Sequence, residues 1–156
     1  MNDGLMLVAD ASVIAKWYLT DEESSTAAVA LRTAFVEGRV SIAVPDLMCY
    51  EVANAIHVAH QRKRLKEQDA ENAIEDLLAW DFVYSGVDEI LAGAVAAAHR
   101  FGCALYDAAY VALAEQLDCD LVTADQRLVN KLQSQAPWVK WLGDHPLLIP
   151  QARSTS

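Results

Sequence analysis

Short apolar runs alternate with amphipathic, often alanine-rich segments along the chain. The run at residues 5–9 is continuous and ends at an aspartate, which is typical of a strand buried in a parallel sheet. The same pattern predicts further strands at residues 40–44, 82–84, 121–123 and 139–142. Helical spacing predicts helices at residues 13–19, 23–37, 47–61, 68–80, 89–101, 105–117 and 126–133. This alternation predicts a three-layer α/β/α sandwich with a central, mainly parallel sheet.

Residues at the ends of these segments support the predicted helices. Ser12, Asp46 and Asp125 each stand just before a helical segment, where a short polar side chain favours an N-cap. Gly38 and Gly102 each stand just after one, where a left-handed backbone ends a helix. The predicted helices therefore have local start and stop signals.

Composition indicates one domain, at residues 1–150, followed by a short tail at 151–156. The chain has 156 residues, of which 54% are hydrophobic, enough for one substantial core. Cys49, Cys103 and Cys119 are odd in number and lack paired spacing, so we expect reduced thiols of a cytoplasmic protein. No basic leader and no apolar run near the roughly 18 residues of a membrane span is visible, so no membrane association is expected.

The formal net charge of -10 argues against RNA binding, because affinity for phosphate normally comes from Lys and Arg. A carboxylate pocket loaded with divalent cations reverses that effect locally. The basic cluster after residue 61 is one surface that RNA could contact, although a solvated helix end is the more ordinary interpretation. The cluster consists of Arg62, Lys63, Arg64 and Lys66.

Asp10 and Asp125 follow two of the predicted strands. Ligands of open α/β sheets bind outside the carboxyl ends of the strands, so both carboxylates are expected to face one crevice. Ser12 and Thr123 each lie two residues from one of these acids and are candidate supporting groups. The ordinary alternatives are a helix cap for Asp125 and a turn residue for Asp10.

Glu51 and Asp107 interrupt apolar helices, where an unpaired carboxylate is costly to bury. A buried salt bridge is the alternative, but the neighbouring segments offer few basic partners. Mg²⁺ or Mn²⁺ is the simpler solution, because hard cations prefer carboxylate oxygens and water. Asn54, one helical turn after Glu51, is a candidate for orienting that carboxylate or holding a water.

Other residues have ordinary structural interpretations. His57 and His60 have a spacing that can bind metal, but histidines on a helix surface are more often simple polar residues, so they are left out of the site. The tryptophans are expected in the core or a dimer surface rather than as base-stacking platforms. They are Trp17, Trp80, Trp138 and Trp141.

Four motifs in order carry a resemblance to a known family. VADASVIAKWYL, EVANAI, LYDAAYVALA and LVTADQRL closely resemble the PIN-domain family, particularly the VapC-type toxins of prokaryotic toxin–antitoxin pairs. The resemblance runs from about residue 5 to residue 142. Matched residue by residue, it places the catalytic and metal-binding acids at Asp10, Glu51, Asp107 and Asp125, with supporting groups at Ser12, Asn54 and Thr123.

The resemblance implies a Mg²⁺- or Mn²⁺-dependent endoribonuclease that hydrolyses phosphodiester bonds of RNA. It further implies a homodimer, and a small VapB-type antitoxin whose C-terminal segment covers the pocket. We expect Asp10 and Asp107 to bind metal directly, and Glu51 and Asp125 to act through water or as proton acceptor.

Two alternatives remain open at the level of sequence. One is a PIN-fold interaction module that binds a partner without cutting RNA. The other is a phosphatase with Asp10 as nucleophile, although the acid usually found two residues later is replaced here by Ser12.

Overall fold

The computed structural model describes residues 4–19 and 26–148. Five strands form one sheet in the order β3-β2-β1-β4-β5, and all neighbouring strands are parallel. The strands are β1 (Leu5–Ala9), β2 (Val40–Pro45), β3 (Val83–Ser85), β4 (Asp120–Thr123) and β5 (Val139–Trp141).

Seven α-helices connect and cover these strands in the part of the chain described. They are α1 (Ala11–Ala15), α2 (Thr26–Val36), α3 (Leu47–Gln61), α4 (Glu67–Ala79), α5 (Val87–Phe101), α6 (Leu105–Gln116) and α7 (Gln126–Leu132). A 3-10 turn, Leu142–Asp144, follows β5. The first three residues of the helix predicted at 23–37 lie outside the described residues, as does the predicted tail at 151–156.

The predicted three-layer sandwich is confirmed. Leu7, Val8 and Ala9 are buried in succession, so both faces of β1 are covered, as expected for the centre of a parallel sheet. Helix α6 packs against β1, β2 and β4, and its residues from Ala108 to Ala114 are all buried. The core therefore lies directly beneath the carboxyl ends of the central strands.

Two predicted caps differ in detail. Asp10, not Ser12, occupies the N-cap of α1, and its side chain accepts from the backbone N–H of Val13. Ser12 is already the second residue of that helix. Asp46 precedes α3 as predicted, but its backbone is helical and its side chain makes no capping hydrogen bond. The cap of α1 is therefore two residues earlier than predicted, whereas the cap of α3 keeps its predicted position without the side-chain hydrogen bond.

The remaining local signals agree closely with the structure. Gly38 and Gly102 adopt φ values of 71° and 64°, the left-handed conformation expected at a helix end. Strand β3 begins one residue later than predicted, because Phe82 packs in the core ahead of it. Trp17 is buried, as predicted, and its ring contacts those of Trp80 and Phe82.

The three cysteines are free thiols, as predicted, and each is half-buried. Within residues 4–19 and 26–148, no helix combines the length and apolar character that crossing a membrane requires.

The strand order places a crevice beside β1. Successive strands are added on one side of β1 as far as β3, and the next strand, β4, then pairs on its other side. Such a switch point leaves a crevice outside the carboxyl ends of the two adjacent strands, where α/β proteins bind ligands. Asp10 directly follows β1, and Asp125 comes two residues after β4.

Candidate active site

Asp10 directly follows β1, beside the switch point, and is only 7% exposed. One oxygen, Oδ1, accepts hydrogen bonds from the Ser12 hydroxyl at 2.5 Å and from the backbone N–H of Val13 at 3.4 Å. Burial nevertheless raises the pKa of Asp10 to about 6, although hydrogen bonds from Ser12 and Thr123 oppose the rise. The negative charge of Asp107 adds to it. Asp10 is therefore a costly carboxylate to keep ionised in the absence of a cation.

Two hydroxyl groups connect Asp10 to the loop after β4. Ser12 Oγ accepts from the backbone N–H of Ala124 at 3.0 Å and lies 3.5 Å from Thr123 Oγ1. Thr123 is fully buried, and its hydroxyl accepts from the backbone N–H of Asp125 at 3.0 Å. The structure thus brings Ser12 and Thr123 together beside Asp10 and Asp125. Their hydrogen bonds connect the start of α1 with the loop that follows β4.

Asp125 caps α7. Its Oδ1 accepts from the backbone N–H groups of Arg127 at 3.0 Å and Leu128 at 3.2 Å. The helix cap, which the sequence suggested as the ordinary alternative to a catalytic role for Asp125, is therefore present. Both bonds use the same oxygen, and Oδ2 has no hydrogen-bond partner among the described residues. The residue can thus cap the helix and still present an oxygen to the crevice.

Glu51 enters the site from α3, where it is half-buried. The hydroxyl of Tyr110 donates a hydrogen bond of 2.6 Å to Glu51 Oε1. Burial raises the pKa of Glu51, the Tyr110 hydrogen bond opposes that rise, and the charge of Asp107 adds to it. The pKa of Tyr110 is raised as well, chiefly by burial and then by the charge of Glu51, so its hydroxyl keeps its proton and donates.

Asp107, in the first turn of α6, links the acids electrostatically. Burial is the main cause of its raised pKa, and the charge of Asp125 adds to the effect. Its own charge raises the pKa of both Asp10 and Glu51. The structure therefore brings all four predicted acids, from four different elements, into one electrostatic network, in which Asp107 is repelled by each of the other three.

The donor set fits a hard divalent cation in chemistry and charge. Carboxylate oxygens are the ligands that Mg²⁺ and Mn²⁺ prefer, and a cation would relieve the mutual repulsion. In residues 4–19 and 26–148, however, no three His, Cys, Asp or Glu side chains converge closely enough to enclose an ion. Mg²⁺ does not require this, because it usually keeps several waters and takes one or two carboxylates together with substrate phosphate.

Other residues highlighted by the sequence lie away from the acids. Asn54 is exposed on the turn after Glu51, and no hydrogen bond joins the two side chains within the described structure. The basic cluster beginning at Arg62 follows the end of α3, about 16 Å along the helix from Glu51. His57 is exposed, while His60 lies 3.0 Å from the carbonyl oxygen of Leu65, which agrees with the ordinary interpretation of both.

Two residues of the site were missed from the sequence. Tyr110 stands three residues after Asp107, a spacing that places both on one helix face and could have identified it. Burial raises the pKa of Asp107 and of the nearby Cys103, and the charge of Lys131, on α7, opposes both rises. No local pattern distinguishes Lys131, because its proximity to Asp107 arises only when α6 and α7 come together in the fold.

The fold and the crevice define a class of protein, a parallel α/β domain with a carboxylate centre at its topological switch point. The family model of the PIN domain matches residues 7–131, a range that includes all four acids. The chain belongs to the PIN-domain family, within its VapC group. The resemblance predicted from the four motifs is confirmed.

The similar proteins include curated relatives and a solved structure. Ribonuclease VapC3 of Pyrobaculum aerophilum is 38% identical over 131 residues, covering 81% of this chain and 95% of the relative. Ribonuclease VapC9 of Mycobacterium tuberculosis is 33% identical over 135 residues, covering 85% and 95%. The crystal structure of PAE2754 from Pyrobaculum aerophilum aligns with a TM-score of 0.64 at 23% identity, covering 89% of this chain and 92% of that one. That structure supports the fold alone.

Proposed function

We propose that this protein is a Mg²⁺- or Mn²⁺-dependent endoribonuclease that hydrolyses phosphodiester bonds of RNA in the cytoplasm. The observation that supports the proposal is a group of four carboxylates near the switch point of the sheet that are linked electrostatically through Asp107. They are Asp10, Glu51, Asp107 and Asp125. The curated relatives quoted above, named as ribonucleases, support the choice of RNA as substrate.

In the proposed mechanism, Asp10 and Asp107 are the residues that would hold the ion directly. Asp10 is fixed by Ser12 and by its own helix cap, and Asp107 interacts electrostatically with each of the other acids. A bound Mg²⁺ or Mn²⁺ supplies a water of lowered pKa and offsets charge on the phosphate. Asp125 would act through a water bound to the ion, using Oδ2, the oxygen that does not cap α7.

Glu51 is the proposed proton acceptor. Its Oε1 is occupied by Tyr110, which leaves Oε2 to take a proton from the attacking water. Burial raises the pKa of Glu51, which brings its basicity closer to that required at neutral pH. During this proton transfer, the hydrogen bonds of Ser12 and Thr123 fix the positions of Asp10 and Asp125 relative to each other.

We further propose that the protein is the toxin of a VapBC-type pair, held inactive by a small VapB-type antitoxin. The VapC names of the relatives support this, as does the chemistry of the crevice. A pocket rich in carboxylates, in a chain of net charge -10, is complementary to a positively charged peptide segment.

A homodimer is also proposed, through α5. Val87, Leu91 and Val95 follow one another at four-residue intervals on that helix and are 67%, 48% and 40% exposed. A row of exposed apolar side chains marks an interaction surface, and an apolar row can pack against its own copy about a two-fold axis.

The decisive experiment is RNA cleavage by purified protein, free of antitoxin, with Mg²⁺ or Mn²⁺ and with EDTA. We expect discrete fragments that disappear with EDTA. Asp10→Asn and Asp107→Asn should each lower the rate at least about 100-fold, because each removes a charged ligand. Asparagine preserves volume and capping ability, so folding, checked by circular dichroism, should be retained.

Asp81→Asn is the matched control, because Asp81 is exposed and outside the crevice. It should cleave RNA at the wild-type rate. If wild type and Asp10→Asn leave identical residual activity, a contaminating nuclease is responsible and the proposal is wrong. Metal binding with no cleavage of any RNA would instead favour a PIN-fold interaction module.

A further inference from the structure

We infer that Tyr110 is a positioning residue that holds Glu51 in the orientation needed for the metal site, and thereby sets the affinity of the site for Mg²⁺ or Mn²⁺. The inference rests on the proposed function and deepens it. It assigns to Tyr110 a role that is exerted through Glu51.

Tyr110 is fixed by the core. Its side chain is only 2% exposed, and its neighbours on α6, from Ala108 to Ala114, are all buried. A tyrosine ring turns about only two torsions, so burial of the ring leaves its hydroxyl at a defined position. The Tyr110 hydroxyl therefore has a fixed position from which it can hold Glu51.

Glu51 needs such an anchor. It is half-buried on α3 and has three side-chain torsions, so its carboxylate has no fixed position of its own. The 2.6 Å hydrogen bond from Tyr110 engages Oε1 and leaves Oε2 directed elsewhere. Charge-assisted hydrogen bonds of this length are among the stronger ones in proteins. Tyr110 thereby selects which oxygen of Glu51 remains available to the ion and its water.

The same hydroxyl ties together the elements that carry three of the acids. Tyr110 lies one helical turn after Asp107 on α6 and holds Glu51 of α3. It also interacts with the backbone N–H of Ala11, the residue directly after Asp10. A single oxygen atom on α6 thus interacts with α3, through Glu51, and with the start of α1, through Ala11; of the acids themselves, it contacts Glu51.

The alternative is that Tyr110 is only a core aromatic whose hydroxyl happens to be satisfied by Glu51. The two roles differ in what they predict for metal binding. A purely structural tyrosine affects the stability of the fold and leaves the affinity of the folded protein for metal unchanged. A positioning tyrosine changes that affinity, because partners that orient metal ligands typically contribute about 10–100-fold.

The test is a Mn²⁺ titration of the whole chain without RNA, followed by electron paramagnetic resonance of free Mn²⁺. Tyr110→Phe should weaken Mn²⁺ binding about 10–100-fold. Tyr106→Phe is the matched control: it removes a hydroxyl one turn earlier on the same helix from a side chain that is 66% exposed, and should bind as wild type does. Excess Mn²⁺ should restore the kcat of Tyr110→Phe for RNA.

A Tyr110→Phe protein that binds Mn²⁺ within about twofold of wild type overturns the inference. If Tyr110→Phe does not fold, a second comparison can be made. The Mn²⁺ affinity of the Glu51→Gln variant is compared with that of the double variant Glu51→Gln, Tyr110→Phe. The neutral glutamine removes the buried charge that would otherwise lose its partner. The two proteins should bind Mn²⁺ equally, because Tyr110 acts through the charge of Glu51, and unequal binding contradicts that route.

The outcomes also separate this inference from the proposed function. Wild-type protein that binds Mn²⁺ more tightly than Tyr110→Phe, yet cleaves no RNA, supports the inference and overturns the nuclease proposal. Wild-type protein that binds no Mn²⁺ overturns both. RNA cleavage with unchanged Mn²⁺ affinity in Tyr110→Phe overturns the inference alone.

Discussion

Asp10 has two roles that place opposite demands on its carboxyl group. As the N-cap of α1 it benefits from a charged or polar oxygen near the backbone N–H of Val13. As a buried acid facing Asp107 it is stabilised by protonation, and its pKa is raised to about 6. Without metal, the fold therefore tolerates this charge at a cost in stability, as is common for residues that serve function.

Asp10→Asn should stabilise the metal-free protein. A pKa rise from 3.8 to about 6 corresponds to about 3 kcal/mol of lost stability once the group is ionised. Asparagine retains an oxygen for Ser12 and for the cap but carries no charge. We expect a gain of about 1–3 kcal/mol at pH 8 in EDTA, measured by urea unfolding, in a variant inactive on RNA.

The pH dependence follows from the sign of the shift. The folded-state pKa of Asp10 lies above the unfolded value, so its stabilising contribution is complete below pH 3.8 and is lost as pH rises through about 6. The advantage of Asp10→Asn should therefore be small at pH 4, grow between pH 4 and 6, and level off above pH 7. An advantage that stays constant with pH would contradict this account.

The individual acids and the hydroxyl groups beside Asp10 and Asp125 were predictable from sequence, but the partner of Glu51 was not. Glu51 and Asp107 could be recognised because they interrupt apolar helices. A carboxylate that is buried there without a partner is costly, which indicated a functional site. Tyr110 reaches Glu51 across 59 positions of the chain, and no local pattern indicates such a contact. Which oxygens remain available depends on these distant hydrogen bonds, so the division of roles among the acids stays a prediction.

At the scale of secondary-structure elements, α7 shows that a residue of the candidate active site, Asp125, can also cap a helix. The helix has only seven residues, and Asp125 caps two of its first N–H groups. Short helices depend strongly on such caps, because few intrahelical hydrogen bonds offset the cost of starting them. The position of the helix and the direction of the Asp125 carboxylate are thus set by the same two hydrogen bonds.

Replacements of Asp125 should separate capping from catalysis. Asp125→Ala should lower the free energy of unfolding by about 0.5–2 kcal/mol, whereas Asp125→Asn, which can still cap, should stay within about 0.5 kcal/mol of wild type. Both should lose most RNA cleavage, because both lack the charge. Urea unfolding in EDTA gives the first comparison, with Gln126→Ala in α7 as the control. Equal destabilisation by alanine and asparagine would show that the cap contributes little.

Element boundaries were predictable wherever a local signal ends the pattern. Gly102 ends α5, and Pro45 is the last residue of β2, so the predicted limits there fall within about two residues of the observed ones. The cap of α1 was misassigned because Ser12 and Asp10 both have suitable side chains. The backbone decided between them: Asp10 is extended and Ser12 is already helical.

At the scale of the whole molecule, the exposed apolar row on α5 should control association. Leu91→Glu places a charge at its centre, and we expect the proposed homodimer to weaken at least about 100-fold, because an unpaired charge in an apolar contact is costly. Light scattering after size exclusion measures this directly. Leu78→Glu on α4, where Leu78 is 66% exposed, is the matched control and should remain dimeric. A wild-type monomer, or a dimeric Leu91→Glu, would contradict the proposed interface.

The pairing of β1 with β4 also has a consequence for how the protein is made. Leu7 of β1 lies opposite Asp120 of β4, a partner synthesised more than a hundred positions later. A nascent chain that ends at α6 already carries Asp10, Glu51 and Asp107 but has neither the Thr123 hydroxyl nor Asp125. If the proposed function is correct, we expect such a chain to be harmless to the messenger from which it is being translated. The order of the strands would then delay toxicity until β4 and Asp125 have been synthesised.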